Sequence, residues 1–171
     1  MSAADRTVVV MRHAKAEQVG PTDFERALSP RGRCDAEAAG AWLAGLGVVP
    51  DQALVSAALR TRETWAAVAE GAGWSLPPTL DEGLYADGPE TALDLLRGLE
   101  PAVSCVVVIG HNPTMAYLAS MLDDGSGDPQ HGNALATGFP TSALAVFCFS
   151  GSWPDLHPAS ARLVAFHVAR G

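Results

Sequence analysis

Four side chains able to hold a small anion stand directly after predicted strands. Arg12 and His13 follow the β-branched run TVVVM at residues 7–11. Ser56 ends the short strand Gln52–Ser56, and Arg60 opens the helix after it. Gly110, His111 and Asn112 follow SCVVVI at residues 104–109, the most regular strand pattern in the chain. Arginine offers a permanent charge in a planar fork of donors. Histidine is neutral or charged according to its surroundings. Arg60 and His111 also stand beside predicted helix starts, whose free N–H groups attract anions. Singly, each residue has an ordinary structural use: a histidine satisfies a turn, and an arginine opening a helix is solvated. Together, two arginines and two histidines from three strand ends on one sheet edge have the physics of an oxyanion site.

That convergence requires strands and helices in alternation. Ser29-Pro30 reads as an N-cap and first helical position for a helix over residues 31–46, stopped by Gly47. A second helix spans residues 59–70 and is ended by Gly71 and Gly73, and a third runs from Pro89 to about residue 99. Asn112-Pro113 reads as a further cap and start, for a helix to about Leu122. Residues 123–138, rich in Gly and Asp, read as a loop, and residues 142–149 and 162–167 as two final strands, open to pairing. The pattern predicts an α/β fold: a single-domain sandwich over residues 1–171, with a mainly parallel central sheet flanked by helices. Ligands in such sheets bind at the carboxyl ends of the strands, where the four residues stand.

Composition narrows the function. The chain has 171 residues, 48% of them hydrophobic, enough for one sizeable core. Its formal net charge of -8 opposes nucleic acid and anionic membranes. Any anion site must then be a local basic pocket in an acidic protein. The start, MSAADRT, lacks a basic segment followed by an apolar one, so no secretory leader and a cytoplasmic location are expected. Cys34, Cys105 and Cys148 form no CxxC pair and are expected as buried, reduced thiols. A cysteine nucleophile with an arginine six residues on is excluded, because those places hold Gly40, His111 and Pro154. His131, His157 and His167 lack a metal-ligand spacing, and there is neither a Walker loop nor a G-x-S-x-G elbow. Neither metal nor cofactor is expected.

Arg12-His13-Ala14-Lys15 resembles the Arg-His-Gly mark of the histidine phosphatase superfamily, with alanine in place of glycine. That departure is similar to the SixA-like phosphohistidine phosphatase branch. So are ERALSPRGRCDA at residues 25–36, SAALRTRETW at 56–65, VIGHNPTM at 108–115, FPTSALAVF at 139–147 and the Trp153-Pro154-Asp155-Leu156 turn. The resemblance covers almost the whole chain. It implies a phosphatase in which His13 attacks phosphorus and becomes phosphorylated, while Arg12, Arg60 and His111, with Asn112 beside them, bind the phosphoryl group. His13 must then be neutral at the attacking nitrogen, and His111 is more useful protonated, so the two are expected to be tuned in opposite directions. Glu82, in LDEGLY at residues 80–85, resembles the acid-bearing segment of the mutase-like branch and is the candidate general acid; its alternative is a solvated loop carboxylate. Asp23, Glu17 and Lys15 are expected at the rim. The implied partner is a phosphorylated protein, with phosphohistidine hydrolysed. A small phosphorylated metabolite, such as a sugar phosphate or nucleotide, and a non-catalytic phosphate-binding module are the alternatives.

Overall fold

A computed structural model describes residues 4–171; the first three residues, on which part of the leader reading rests, lie outside the described residues. Six strands form one sheet: β1 (Asp5–Arg12), β2 (Gln52–Ser56), β3 (Thr79–Asp81), β4 (Cys105–Gly110), β5 (Ala143–Ser150) and β6 (Arg162–Val168), in the order β3-β2-β4-β1-β5-β6. The strands from β3 to β1 pair in parallel, whereas β5 runs antiparallel to both β1 and β6. The expected mainly parallel α/β sandwich is therefore present, and the two final strands do pair. All six β4 residues are buried, the continuous apolar run expected of a strand covered on both faces. In β1, Val9 and Met11 face one half of the core while Val8 and Val10 face the other.

One face of the sheet is covered by α1 (Pro30–Gly45) and α2 (Leu59–Ala72). The other carries α4 (Pro89–Arg97), α5 (Thr114–Leu122) and α6 (Pro129–Thr137), which bury Leu93, Leu96, Leu118, Leu122 and Leu135. Helix α1 begins as expected, with the Ser29 hydroxyl accepting from the Gly32 N–H at 3.0 Å. Helix α2 does not end at Gly71. A Cβ there would lie 2.0 Å from the Glu37 carbonyl oxygen, so this glycine serves the close approach of α1 to α2; Gly40 does the same against Val68. The helix stops at Gly73, whose φ of 73° suits glycine.

Other expectations are corrected. The span 123–138 contains α6, with Pro129 at its start and the Asp128 carboxylate accepting from the Gln130 N–H. Strand β3 and the short helix α3 (Gly83–Ala86) were not foreseen, because three- and four-residue elements carry too little periodicity. Asn112 stands one residue outside the cap position of α5, which Pro113 holds after a cis bond, yet its Oδ1 still accepts from the first-turn N–H of Ala116 at 3.3 Å. Cys34 is exposed, on a helix whose buried stripe passes through Asp35, Ala36 and Ala39 instead. No helix among the described residues is long and apolar enough to cross a membrane.

Candidate active site

The carboxyl ends of β1, β4 and β2 meet. Arg12 pairs with Gly110 in the β1–β4 register, and the His13 N–H donates to the Gly110 carbonyl at 3.0 Å. This tie sets His13 and His111 side by side, ring centroids 5.2 Å apart. On the next strand, the Ser56 hydroxyl lies 2.8 Å from Nε2 of His111. Helix α2 starts three residues later, its Thr61 hydroxyl donating to the Ser56 carbonyl at 2.7 Å. Arg60 in that first turn is buried, with 5% of its surface exposed. One turn on, Thr64 joins two of these elements: its hydroxyl donates to the Arg60 carbonyl at 2.7 Å and accepts from the Ala14 N–H at 3.0 Å.

The two imidazoles are held by opposite nitrogens. Nδ1 of His13 is 2.7 Å from the Ala14 carbonyl. A carbonyl only accepts, so Nδ1 carries the proton and a neutral ring has its lone pair on Nε2. His111 is anchored instead through Nε2, and its Nδ1 is buried without a partner. Burial is the main force lowering both pKa values, His13 to about 4 and His111 to about 3. Arg60 and Arg12 push both further down; the Ala14 carbonyl opposes this at His13, and Asp23 opposes it at His111. The expectation of opposite tuning is therefore not met. Both rings, 5.2 Å apart, lose much of their solvation and face the same arginines, so both are neutral near pH 7.

A strap after β1, joined by an Ala16–Leu28 bridge, brings Asp23 onto Arg60. Nη1 of Arg60 donates to the Asp23 backbone carbonyl at 2.7 Å and Nη2 to Oδ2 at 3.2 Å. The Tyr85 hydroxyl donates to the same Oδ2 at 2.8 Å, and Arg26 binds Oδ1. The Tyr85 hydroxyl, with Arg26 and Arg60, holds Asp23 down to about 2. The Tyr85 ring stands edge-on to His111 at 5.4 Å, closing that side of the cluster. Tyr85 and the Asp23 clasp are what sequence reasoning missed. Tyr85 reaches the site on β3 and α3, neither of which the sequence announced. Thr64 was readable one helical turn after Arg60.

Among the described residues, four buried polar side-chain atoms lack a partner: Nε of Arg12, Nε of Arg60, Nδ1 of His111 and the Ser142 hydroxyl. The first three belong to the residues singled out at the strand ends. Unsatisfied buried polar atoms are rare and costly; the two guanidinium N–H groups, joined by Nδ1 of His111 in the tautomer that protonates it, suit an oxyanion. Asn112 is near, but both ends of its amide are engaged: Nδ2 donates to the Phe139 carbonyl at 2.7 Å and Oδ1 accepts from Ala116 at 3.3 Å. Glu82 is exposed at the start of α3, and its carboxylate has no hydrogen bond or ion pair among the described residues. Lys15 and Glu17 are respectively exposed and exposed on the strap. Among the described residues no three His, Cys, Asp or Glu gather in a metal-binding group.

Residues 8–86 match the model of the histidine phosphatase superfamily, branch 1. A structure from Nakamurella multipartitia, assigned as a phosphohistidine phosphatase SixA, superposes with a TM-score of 0.87 at 34% identity, covering 99% of each chain. A second structure with that assignment, from Agrobacterium tumefaciens, gives a TM-score of 0.77 at 33% identity over 95% of this chain and 97% of the other. An uncharacterised protein of Mycobacterium tuberculosis is 38% identical over 162 residues, spanning 94% of this chain and 100% of its own.

Proposed function

Because the chain belongs to the histidine phosphatase superfamily, we propose that it hydrolyses phosphohistidine on a protein substrate through a phosphorylated His13. The observation that carries this reading is the pairing of a free Nε2 on His13 with three unpartnered donors around it, on Arg12, Arg60 and His111. Phosphoryl transfer needs an in-line nucleophile and donors aimed at the equatorial oxygens, and these residues supply both.

In the first step Nε2 of His13 attacks phosphorus, the substrate N–P bond breaks, and the imidazole leaves with its electron pair. A substrate ring already protonated on its other nitrogen departs as a neutral molecule. In the second step water attacks phospho-His13, releasing inorganic phosphate and restoring the imidazole. Arg12 and Arg60 hold the oxygens throughout. In this reading the Ser56 hydroxyl, 2.8 Å from Nε2 of His111, donates to it, which keeps the proton on Nδ1 and directs it at the phosphoryl group. The incoming dianion also opposes the charges that keep His111 neutral, so binding favours its protonation.

The exposed Glu82 supports the phosphohistidine substrate over an alkyl phosphate. A serine or sugar alkoxide needs a positioned acid, whereas a protonated phosphoramidate does not. The structural likeness to two SixA-assigned proteins points the same way. The test compares kcat/KM on matched phosphohistidine and phosphoserine peptides and on a metabolite panel, with wild type and Glu82→Gln. Faster phosphohistidine cleavage, with Glu82→Gln harming alkyl phosphates more, is expected. Equal rates on both peptides, with Glu82→Gln crippling both, would promote the metabolite phosphatase.

A further inference from the structure

Beside the cluster lies a hollow of about 550 Å³ that the steps above leave unused. Arg12 and Asn112 form its inner end, and Phe139, Phe166, Val168 and Ala134 line its walls. The Phe139 and Phe166 rings are 5.9 Å apart and tilted by 57°, forming an aromatic corner between α6 and the end of β6. Phe139 is buried, while Phe166, Val168 and Ala134 are half-buried, so apolar surface remains open to an incoming group.

The hollow is continuous with the cluster. Arg12 reaches the Phe139 carbonyl through Nη1 at 3.4 Å, and Asn112 reaches the same oxygen at 2.7 Å. One guanidinium therefore has an unpartnered Nε at the donor cluster and also forms the inner end of an apolar wall. The remaining rim is polar: Asp23 and Tyr85 meet across one side, and Lys15, Glu17 and Glu82 are exposed. Toward Phe139 and Phe166 an apolar group on a substrate gains burial against carbon surface. A single imidazole or a serine methylene covers little of this open hollow, which leaves room for a larger group.

We propose that this hollow receives a large apolar side chain of the protein substrate, adjacent in space to its phosphorylated histidine. The inference rests on the phosphohistidine reading above and adds the chemistry of the substrate's surroundings. The phosphate supplies charge-based attraction common to any phosphorylated ligand. The apolar neighbour supplies selection among phosphorylated proteins, since a hydrophobic pocket discriminates by roughly tenfold to a few hundredfold.

The experiment uses phosphohistidine peptides that differ only in one residue, leucine, glycine or aspartate, placed beside the phosphohistidine or one helical turn from it. The leucine peptide is expected to exceed the aspartate peptide in kcat/KM by about tenfold or more, mainly through KM. Two variants remove the hollow: Phe166→Asp makes its wall polar, and Ala134→Trp fills it from the half-buried face of α6. In both, the leucine-to-aspartate ratio should fall to about one. Ala134→Trp needs no space in the core, so it serves if Phe166→Asp melts early. Peptide turnover indifferent to the varied residue, or a preference retained in folded Ala134→Trp, would overturn the apolar subsite while leaving the phosphohistidine reading standing. Turnover of metabolite phosphates with none of any phosphohistidine peptide would overturn that reading and the proposed occupant together.

Discussion

Nδ1 of His13 lies 2.7 Å from the carbonyl oxygen of Ala14, its own neighbour in the chain. This contact decides which nitrogen is nucleophilic, because the carbonyl can only accept. His13→Ala should therefore abolish turnover yet retain binding of inorganic phosphate, since Arg12, Arg60 and His111 stay in place. Alkaline quench of wild type with labelled substrate should trap acid-labile label on His13. Label on serine or cysteine, or an active His13→Ala protein, would falsify the assignment.

Arg60 makes two bonds to Asp23 and leaves Nε for a ligand. Arg60→Ala should lower kcat/KM by about tenfold to a thousandfold. Arg60→Lys should recover only part, because an ammonium cannot make a bidentate contact. Asp23→Ala should cost less than Arg60→Ala, because the backbone carbonyl of residue 23 still anchors Nη1. Steady-state kinetics of the three variants give the order; an Asp23→Ala loss equal to that of Arg60→Ala would show that the carboxylate itself is required.

Ser56 holds His111 by one bond of 2.8 Å in a buried setting. Ser56→Ala should reduce kcat/KM by about three- to tenfold, the worth of one hydrogen bond. Nitrogen NMR of the labelled ring provides a second readout: wild type should carry the His111 proton on Nδ1, and Ser56→Ala should show mixed tautomers. An unchanged tautomer in the variant would count against a positioning role for Ser56.

The folded pKa values of His13 and His111, about 4 and about 3, lie below the ordinary histidine value of 6.5. Between pH 6.5 and 4 the unfolded chain binds protons that the folded chain refuses. Stability contributed by these neutral rings is thus present above pH 6.5 and lost as pH falls toward their folded pKa values. The thermal midpoint should drop on acidification from pH 7 to pH 5. His13→Asn and His111→Asn should each flatten that slope, as followed by melting curves across the pH range. A slope unchanged in both variants would place the acid sensitivity elsewhere.

Much of this protein is legible in order along the chain. The apolar runs of β1, β2 and β4, and the Ser29-Pro30 start of α1, are local signals: burial on both faces demands continuous hydrophobic residues, and a side-chain acceptor followed by proline favours a helix start. Because parallel strands align their carboxyl ends, placing Arg12, His13, Arg60 and His111 after strands was enough to gather them. What the tertiary structure decided depends on contacts between residues far apart in the chain. Gly71 looks like a helix stop until α1 comes within reach of it. Asp23 and Tyr85 are separated by 62 residues and meet only because β3 and α3 turn toward the strap. Helix α6 and the hollow it makes with β6 arise in a stretch that read as a loop, since its Gly and Asp content obscured a short helix whose only buried side chain is Leu135. The protonation of the two histidines also lay beyond the sequence. Residue type sets a starting pKa of 6.5, but burial and the surrounding arginines, which exist only in the folded chain, lower both together.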